Sequence, residues 1–177
     1  MKELDGLTIF LSGAIDRVKD DGVEWRQKFK NKCKRLKLPF KFFDPCQKPK
    51  GMGSEVGDEK LRIQKLMSAK KWAQAKSEVK IFGRYDLRMV DLSHLLVLYC
   101  DISVHMCGSY EEFITAKRQH KPCFVIMAEE QDKYDIPTWL LQHLDEDEVF
   151  NNVEECVDHL KLMYEGKIVA DDRWVIV

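Results

Sequence analysis

The run His94-Leu95-Leu96-Val97-Leu98-Tyr99-Cys100-Asp101 constrains the fold more than any other segment. It is apolar at odd and even positions alike, so it reads as a strand covered on both faces, and such strands belong to parallel sheets flanked by helices. Similar short runs occur at Leu7 to Leu11, closed by Ser12-Gly13, at Phe40 to Phe43, stopped by Asp44-Pro45, and at Pro122 to Met127. Helical spacing of apolar residues marks Val23 to Leu38, Glu59 to about Lys76, Tyr85 to Leu92, Ser109 to Gln119, Thr138 to Leu144 and Val153 to Tyr164. Strand and helix alternate, which implies βαβ units with right-handed crossovers. The chain is therefore expected to be α/β, a three-layer domain of flavodoxin-like or Rossmann-like topology with a mainly parallel sheet of about five strands. The tail from Asp171 to Val177 reads as a last edge strand or a docking segment.

A length of 177 residues fits a single domain spanning 1–177. With 29 Lys+Arg against 30 Asp+Glu, the charge balance argues against a dedicated nucleic-acid binder, which ordinarily carries a basic excess. The longest apolar runs fall far short of the roughly 20 residues of a membrane-spanning helix, so no membrane partner is expected. Six cysteines without a CxxC pair or an amino-terminal secretory segment suggest reduced thiols in a cytoplasm.

In open sheets of this class ligands bind outside the carboxyl ends of the strands. Three loops should meet there: Ser12 to Asp21, Asp44 to Gly57, and Asp101 to Ser109. Within Cys107-Gly108-Ser109-Tyr110-Glu111-Glu112, Gly108 permits a tight turn, Ser109 suits a helix N-cap, and Glu112 completes a Ser-x-x-Glu capping box. The same carboxylate, at a strand edge and near the positive end of a helix that favours its ionised form, is also a candidate nucleophile. Asp86 is the best second carboxylate, although its position equally suits a helix start. Retaining glycoside cleavage requires such a pair about 5 Å apart, one carboxyl attacking and the other protonating the leaving group. Gly51 to Gly57 lacks the Lys-Ser/Thr ending of a phosphate loop and reads as a flexible lid or a linker. The basic stretch Lys60 to Lys80 is a solvated face or a contact for an anionic partner. Cys100, His105 and Cys107 lack a fourth ligand at standard spacing, so neither a metal site nor a cofactor is assigned.

These residues together resemble a known family. Thr8 to Leu11 running into Ser12-Gly13-Ala14-Ile15, Asp86-Leu87 eight residues before His94, the strand Leu95 to Leu98, and Gly108-Ser109-x-x-Glu112 followed by Ala116 and Lys121 are similar to the nucleoside 2-deoxyribosyltransferases and their nucleotide N-glycosidase relatives. The likeness covers most of residues 7 to 128. It implies that Glu112 attacks C1′ of a deoxyribose to form a glycosyl-enzyme, and that Asp86 hydrogen-bonds and protonates the base. It further implies substrate contacts from Ser12, Gly13, Arg17, Asp101, Gly108 and Ser109, with Arg17 suited to a 5′-phosphate. The expected partner is a small nucleoside or nucleotide, nucleic acid is not favoured, and the family's assemblies imply a homo-oligomer, with Trp174 as an exposed contact.

Three positions depart from the family pattern. Phe10 replaces a tyrosine that orients the glutamate, His94 replaces an aspartate at the start of the strand, and Met106 stands where an aspartate or serine reads the sugar 5′ end. The expected activity is cleavage or transfer of the N-glycosidic bond of a 2′-deoxyribonucleoside or its 5′-monophosphate. Its rivals are a catalytically silent nucleotide-binding module and a glycosyltransferase acting on a modified nucleotide or on nucleic acid.

Overall fold

Side-chain alternation along the first strand defines two faces. In β1 (Thr8–Gly13) Ile9 and Leu11 join an apolar cluster with Trp25, Phe29 and Cys33 of α1 (Val23–Arg35). Phe10 instead joins a cluster with Val90 of α3 (Trp72–Leu92) and Phe113 of α4 (Cys107–Arg118). The structure, a computed structural model, describes residues 6–16, 18–49, 51–53, 55–168 and 174. The remaining strands are β2 (Lys41–Phe43), β3 (Leu95–Cys100), β4 (Cys123–Met127) and β5 (Val149–Phe150). They form a five-stranded, all-parallel sheet in the order β2-β1-β3-β4-β5, a flavodoxin-like arrangement. Helix α1 and α6 (Val153–Tyr164) cover one face, while α3, α4 and the short α5 (Thr138–Leu141) cover the other. Helix α2 (Gly57–Ser68) packs on α3.

The central strand β3 is covered on both faces: Leu95, Leu96, Val97 and Leu98 are at most 1% exposed, which explains why it is apolar on both parities. β1 lies between β2 and β3, with Ser12 opposite Leu98 and Gly13 opposite Tyr99. The chain leaves β1 toward α1 and β2, and leaves β3 toward α4 and β4, so the β1–β3 boundary is the topological switch point where crevices open.

One strand is added and three local expectations are corrected. The fifth strand is Val149–Phe150, which forms where Glu148 is buried against Lys117, and the tail proposed for that role lies outside the described residues apart from Trp174. Trp72, assigned to the helix starting at Glu59, opens α3 instead, because the chain turns through Lys70 at a φ of 56° between α2 and α3. Consequently Asp86 lies well inside a 21-residue helix rather than at a helix start. Trp174 is not free for a partner: it stacks edge-on against Phe124 at 5.7 Å and its indole N–H donates to Glu148 Oε1 at 3.1 Å. No helix among the described residues is long and apolar enough to cross a membrane.

Candidate functional site

Where β1 ends, the backbone is fixed from beneath by Arg26. This arginine is 1% exposed and donates from Nε to Leu11 O at 3.2 Å, from Nη2 to Gly13 O at 2.9 Å and from Nη1 to Gly22 O at 2.7 Å. One side chain thereby satisfies two carbonyls of β1 beyond the end of its pairing with β2 and one at the start of α1. Gly22 makes this possible, with φ 69° and a Cβ position that would lie 2.3 Å from Ala14 O. Gly13, expected to contact substrate, is required for packing: a Cβ there would meet Trp25 at 3.0 Å and Tyr99 at 3.2 Å.

Helix α4 begins at Cys107 after Met106, with no side-chain cap, so the capping box anticipated from Ser109 and Glu112 does not form. Glu112 lies instead in the second turn, and its Oε2 accepts a 2.5 Å hydrogen bond from Ser12 Oγ, which also reaches Ser109 O at 3.4 Å. The orienting hydrogen bond that Phe10 cannot make therefore comes from two residues later on the same face of β1. Beyond the first turn the helix dipole fades, and the ionised form of Glu112 is not favoured by it. Burial raises the Glu112 carboxyl to about 8; the Ser12 hydrogen bond opposes the rise, and the neighbouring Asp86 and Glu55 add to it.

Asp86 shares one face of α3 with Phe82 and Val90, at i−4 and i+4, and all three are buried. Lys48, which follows β2 after a single 3-10 turn, donates to both carboxylate oxygens at 2.8 and 2.9 Å, and its own side chain is 1% exposed. Burial pushes Asp86 upward while the Lys48 hydrogen bond and charge oppose the shift. Gly53, at φ 72°, lies against Phe82, where a Cβ would come within 3.0 Å of the Phe82 amide nitrogen. The chain is thus fastened to α3 at Lys48, just before the segment read as a lid or linker, and at Gly53 within it.

The same segment brings Glu55 beside Glu112. A cavity of about 930 Å³ is lined by Asp16, Glu55, Asp86, Gly108 and Glu112, with Phe82, Ile63 and Met67 supplying an apolar wall. A smaller one of about 80 Å³ adjoins it, sharing Asp16, Glu55, Gly108 and Glu112 and adding Gly13 and Ser109. Gly108 has open space where a Cβ would project. Burial raises Glu55 to about 7, helped by the Asp86 and Asp16 charges and opposed by Lys48 and Arg26.

Of the sequence-selected residues, Glu112, Asp86, Ser12, Gly13, Gly108 and Ser109 gather around these cavities. Asp101 does not. It lines a separate cleft of about 730 Å³ on the α1/α6 side of the sheet, together with Trp25, Tyr99 and Glu129. Its Oδ1 accepts from the Ser103 amide and hydroxyl and from Gln131 Nε2. Arg17 lies outside the described residues. Met106 is buried, and its Sδ accepts from the Asp101 amide at 3.2 Å. His94 sits at the opposite, amino end of β3, where Nδ1 accepts from the Thr8 amide at 2.9 Å, so that departure does not touch the site. Sequence reasoning missed Lys48 and Glu55. Two charged residues in a loop bounded by β2 and α2, at the carboxyl edge of the sheet, were the available signal.

A scan against protein-family models finds no match for the chain, and neither does a comparison with curated proteins.

Proposed function

We propose that the chain cleaves or transfers the N-glycosidic bond of a 2′-deoxyribonucleoside or its 5′-monophosphate through a glycosyl-Glu112 intermediate. The observation that carries this reading is the grouping of Glu112, held by Ser12, with Asp86 and Glu55 at one cavity outside the carboxyl end of the β1–β3 switch point. A volume of about 930 Å³ suits a small ligand, and pockets of about 300–1,000 Å³ are typical of such sites.

Carboxyl groups that raise one another titrate as a set between about 7 and about 8, and the reacting form, with Glu112 charged and a neighbouring carboxyl neutral, is a minor member of that set whose share peaks between those values. Ser12 donates to Glu112 and so favours the charged form at the attacking atom. In the first half-reaction a Glu112 carboxylate oxygen bonds to C1′ as the C1′–N bond breaks, and the departing base takes the bonding electrons and a proton. In the second, water or another base attacks C1′ and Glu112 is released, so configuration is retained. The 2-deoxy sugar reaches its oxocarbenium-like transition state without an electron-withdrawing hydroxyl at C2′, and the surrounding negative charge stabilises that cation.

The test is chromatography of products from the protein and its Glu112→Ala variant, incubated with deoxynucleosides and their 5′-monophosphates with and without a free acceptor base. Glu112-dependent base release or exchange is expected. A wild-type protein that binds these compounds without turning any of them over contradicts the proposal and favours a silent binding module.

A further inference from the structure

We propose that Glu55, rather than Asp86, supplies the proton that the leaving base receives; this rests on the reading of the site as a glycosyl-transfer centre. Asp86 is poorly arranged for the task. Both of its oxygens are occupied by Lys48 Nζ, at 2.8 and 2.9 Å, in a pair whose side chains are 7% and 1% exposed. A proton-bearing Asp86 would leave a buried ammonium without its counter-ion, a strongly unfavourable state. Asp86 is better suited to hold Lys48 and, through it, the segment that follows β2.

That segment delivers Glu55. It is pinned to α3 by Lys48 at one end and by the close approach of Gly53 to Phe82 further on, while Lys60 of α2 donates to Asp21 Oδ1 at 2.6 Å and to Ile15 O at 3.3 Å. Glu55 lines both the large and the small cavity, as Glu112 does. Among the described residues no lysine or arginine forms an ion pair with it. The charges that face it are Asp86 and Lys48 from α3 and the β2–α2 segment, Asp16 and Arg26 from the β1–α1 region, and Glu112 from α4. Burial and this acidic surrounding bring its carboxyl to about 7, a value matched to acid–base exchange at neutral pH.

The proton inventory closes over a cycle. Glu55 as the acid gives its proton to a ring nitrogen of the base while the C1′–N bond breaks and Glu112 bonds to C1′. The resulting Glu55 carboxylate then removes a proton from the attacking water, or from the N–H of an acceptor base, as the C1′–Glu112 bond breaks. Both carboxyl groups return to their starting states.

Two probes separate this role from its alternatives. 2′-Deoxyadenosine needs a proton on its base, whereas 7-methyl-2′-deoxyguanosine carries a cationic base that leaves as a neutral molecule without one. For Glu55→Gln the expected result is a loss of about 10²–10⁴-fold in the single-turnover rate of base release from 2′-deoxyadenosine and of less than about tenfold in that from the methylated probe. Retained activity on the latter also shows that the variant is folded. Equal losses on both probes, or a selective loss in Asp86→Asn instead, overturn the assignment to Glu55 while leaving the glycosyl-transfer reading intact. Absence of Glu112-dependent turnover of either probe by the wild type removes both.

Discussion

Two clefts open at the same carboxyl edge of the sheet, one on each face, and they treat acidic residues in opposite ways. On the α3/α4 side Glu112 and Glu55 are raised to about 8 and about 7, burial being the largest cause in each. On the α1/α6 side partial burial also pushes Asp20 and Asp101 upward, but hydrogen bonds outweigh it and both end below the ordinary value. For Asp20 these come from the Glu24 and Gly22 amides, and for Asp101 from Ser103 and Gln131. The contrast teaches that a strand-edge location alone does not make a carboxylate reactive. Asp20 caps α1 and Asp101 closes its own turn, so their charge is already stabilised. Beside the carboxyls around Glu112, the buried Lys48 is taken by Asp86.

The sharpest way to break the comparison is by activity. Glu112→Ala is expected to lower turnover of the preferred deoxynucleoside by at least about 10³-fold, while Asp101→Asn changes it by less than about threefold. Comparable losses from both would erase the distinction between the clefts.

Removing a lysine from each side gives the next largest difference. Lys48→Met strands a buried carboxylate and should cost about 3–5 kcal/mol in urea unfolding. Lys28→Met, which breaks an ion pair with Glu154 whose side chains are 48% and 46% exposed, should cost less than about 0.5 kcal/mol. Restoration of much of the Lys48→Met loss by a second change, Asp86→Asn, would sharpen the point.

The two sides should also respond to pH with opposite sign. A carboxyl raised on folding stabilises the protein fully below its unfolded value and loses that contribution as pH rises through its folded value. Glu112, at about 8 when folded, therefore weakens the wild type between pH 5 and pH 9. Glu112→Gln should melt on the order of 5 °C above wild type at pH 9 and together with it near pH 5. Asp101, lowered on folding, contributes above its unfolded value and loses that contribution as pH falls. Asp101→Asn should accordingly be slightly less stable than wild type at pH 7 and converge with it in acid. A smaller effect is expected from Ser12→Ala. Without the hydroxyl that favours ionised Glu112, the acid limb of the pH–rate profile moves upward and kcat at pH 7 falls by less than about tenfold.

Much of this architecture is legible in the chain because burial on both faces leaves an unmistakable mark. Leu95 to Cys100 and Cys123 to Met127 can be located from composition alone, and α6 falls on the predicted Val153–Tyr164. β5 is only two residues long and carries no periodicity to detect. The boundary between α2 and α3 is hidden by a lysine- and alanine-rich sequence that suits helix on both sides, and the turn at Lys70 has no glycine to announce it. Within the site, Glu112 and Asp86 can be selected from spacing to the strand between them. Ser12 as the partner of Glu112 follows from strand alternation only once Phe10 is known to face α3 and α4. Lys48 and Glu55 escape detection because an aperiodic loop gives no face to assign, and their placement is decided by contacts with residues far along the chain.

The central claim is most directly tested by intact-protein and peptide mass spectrometry after acid quenching of a turnover mixture containing 2′-deoxyadenosine. The account predicts a deoxyribosyl adduct confined to the peptide bearing Glu112 and absent from Glu112→Ala. Turnover that proceeds with no adduct and with inversion at C1′, or an adduct on another residue, would contradict it.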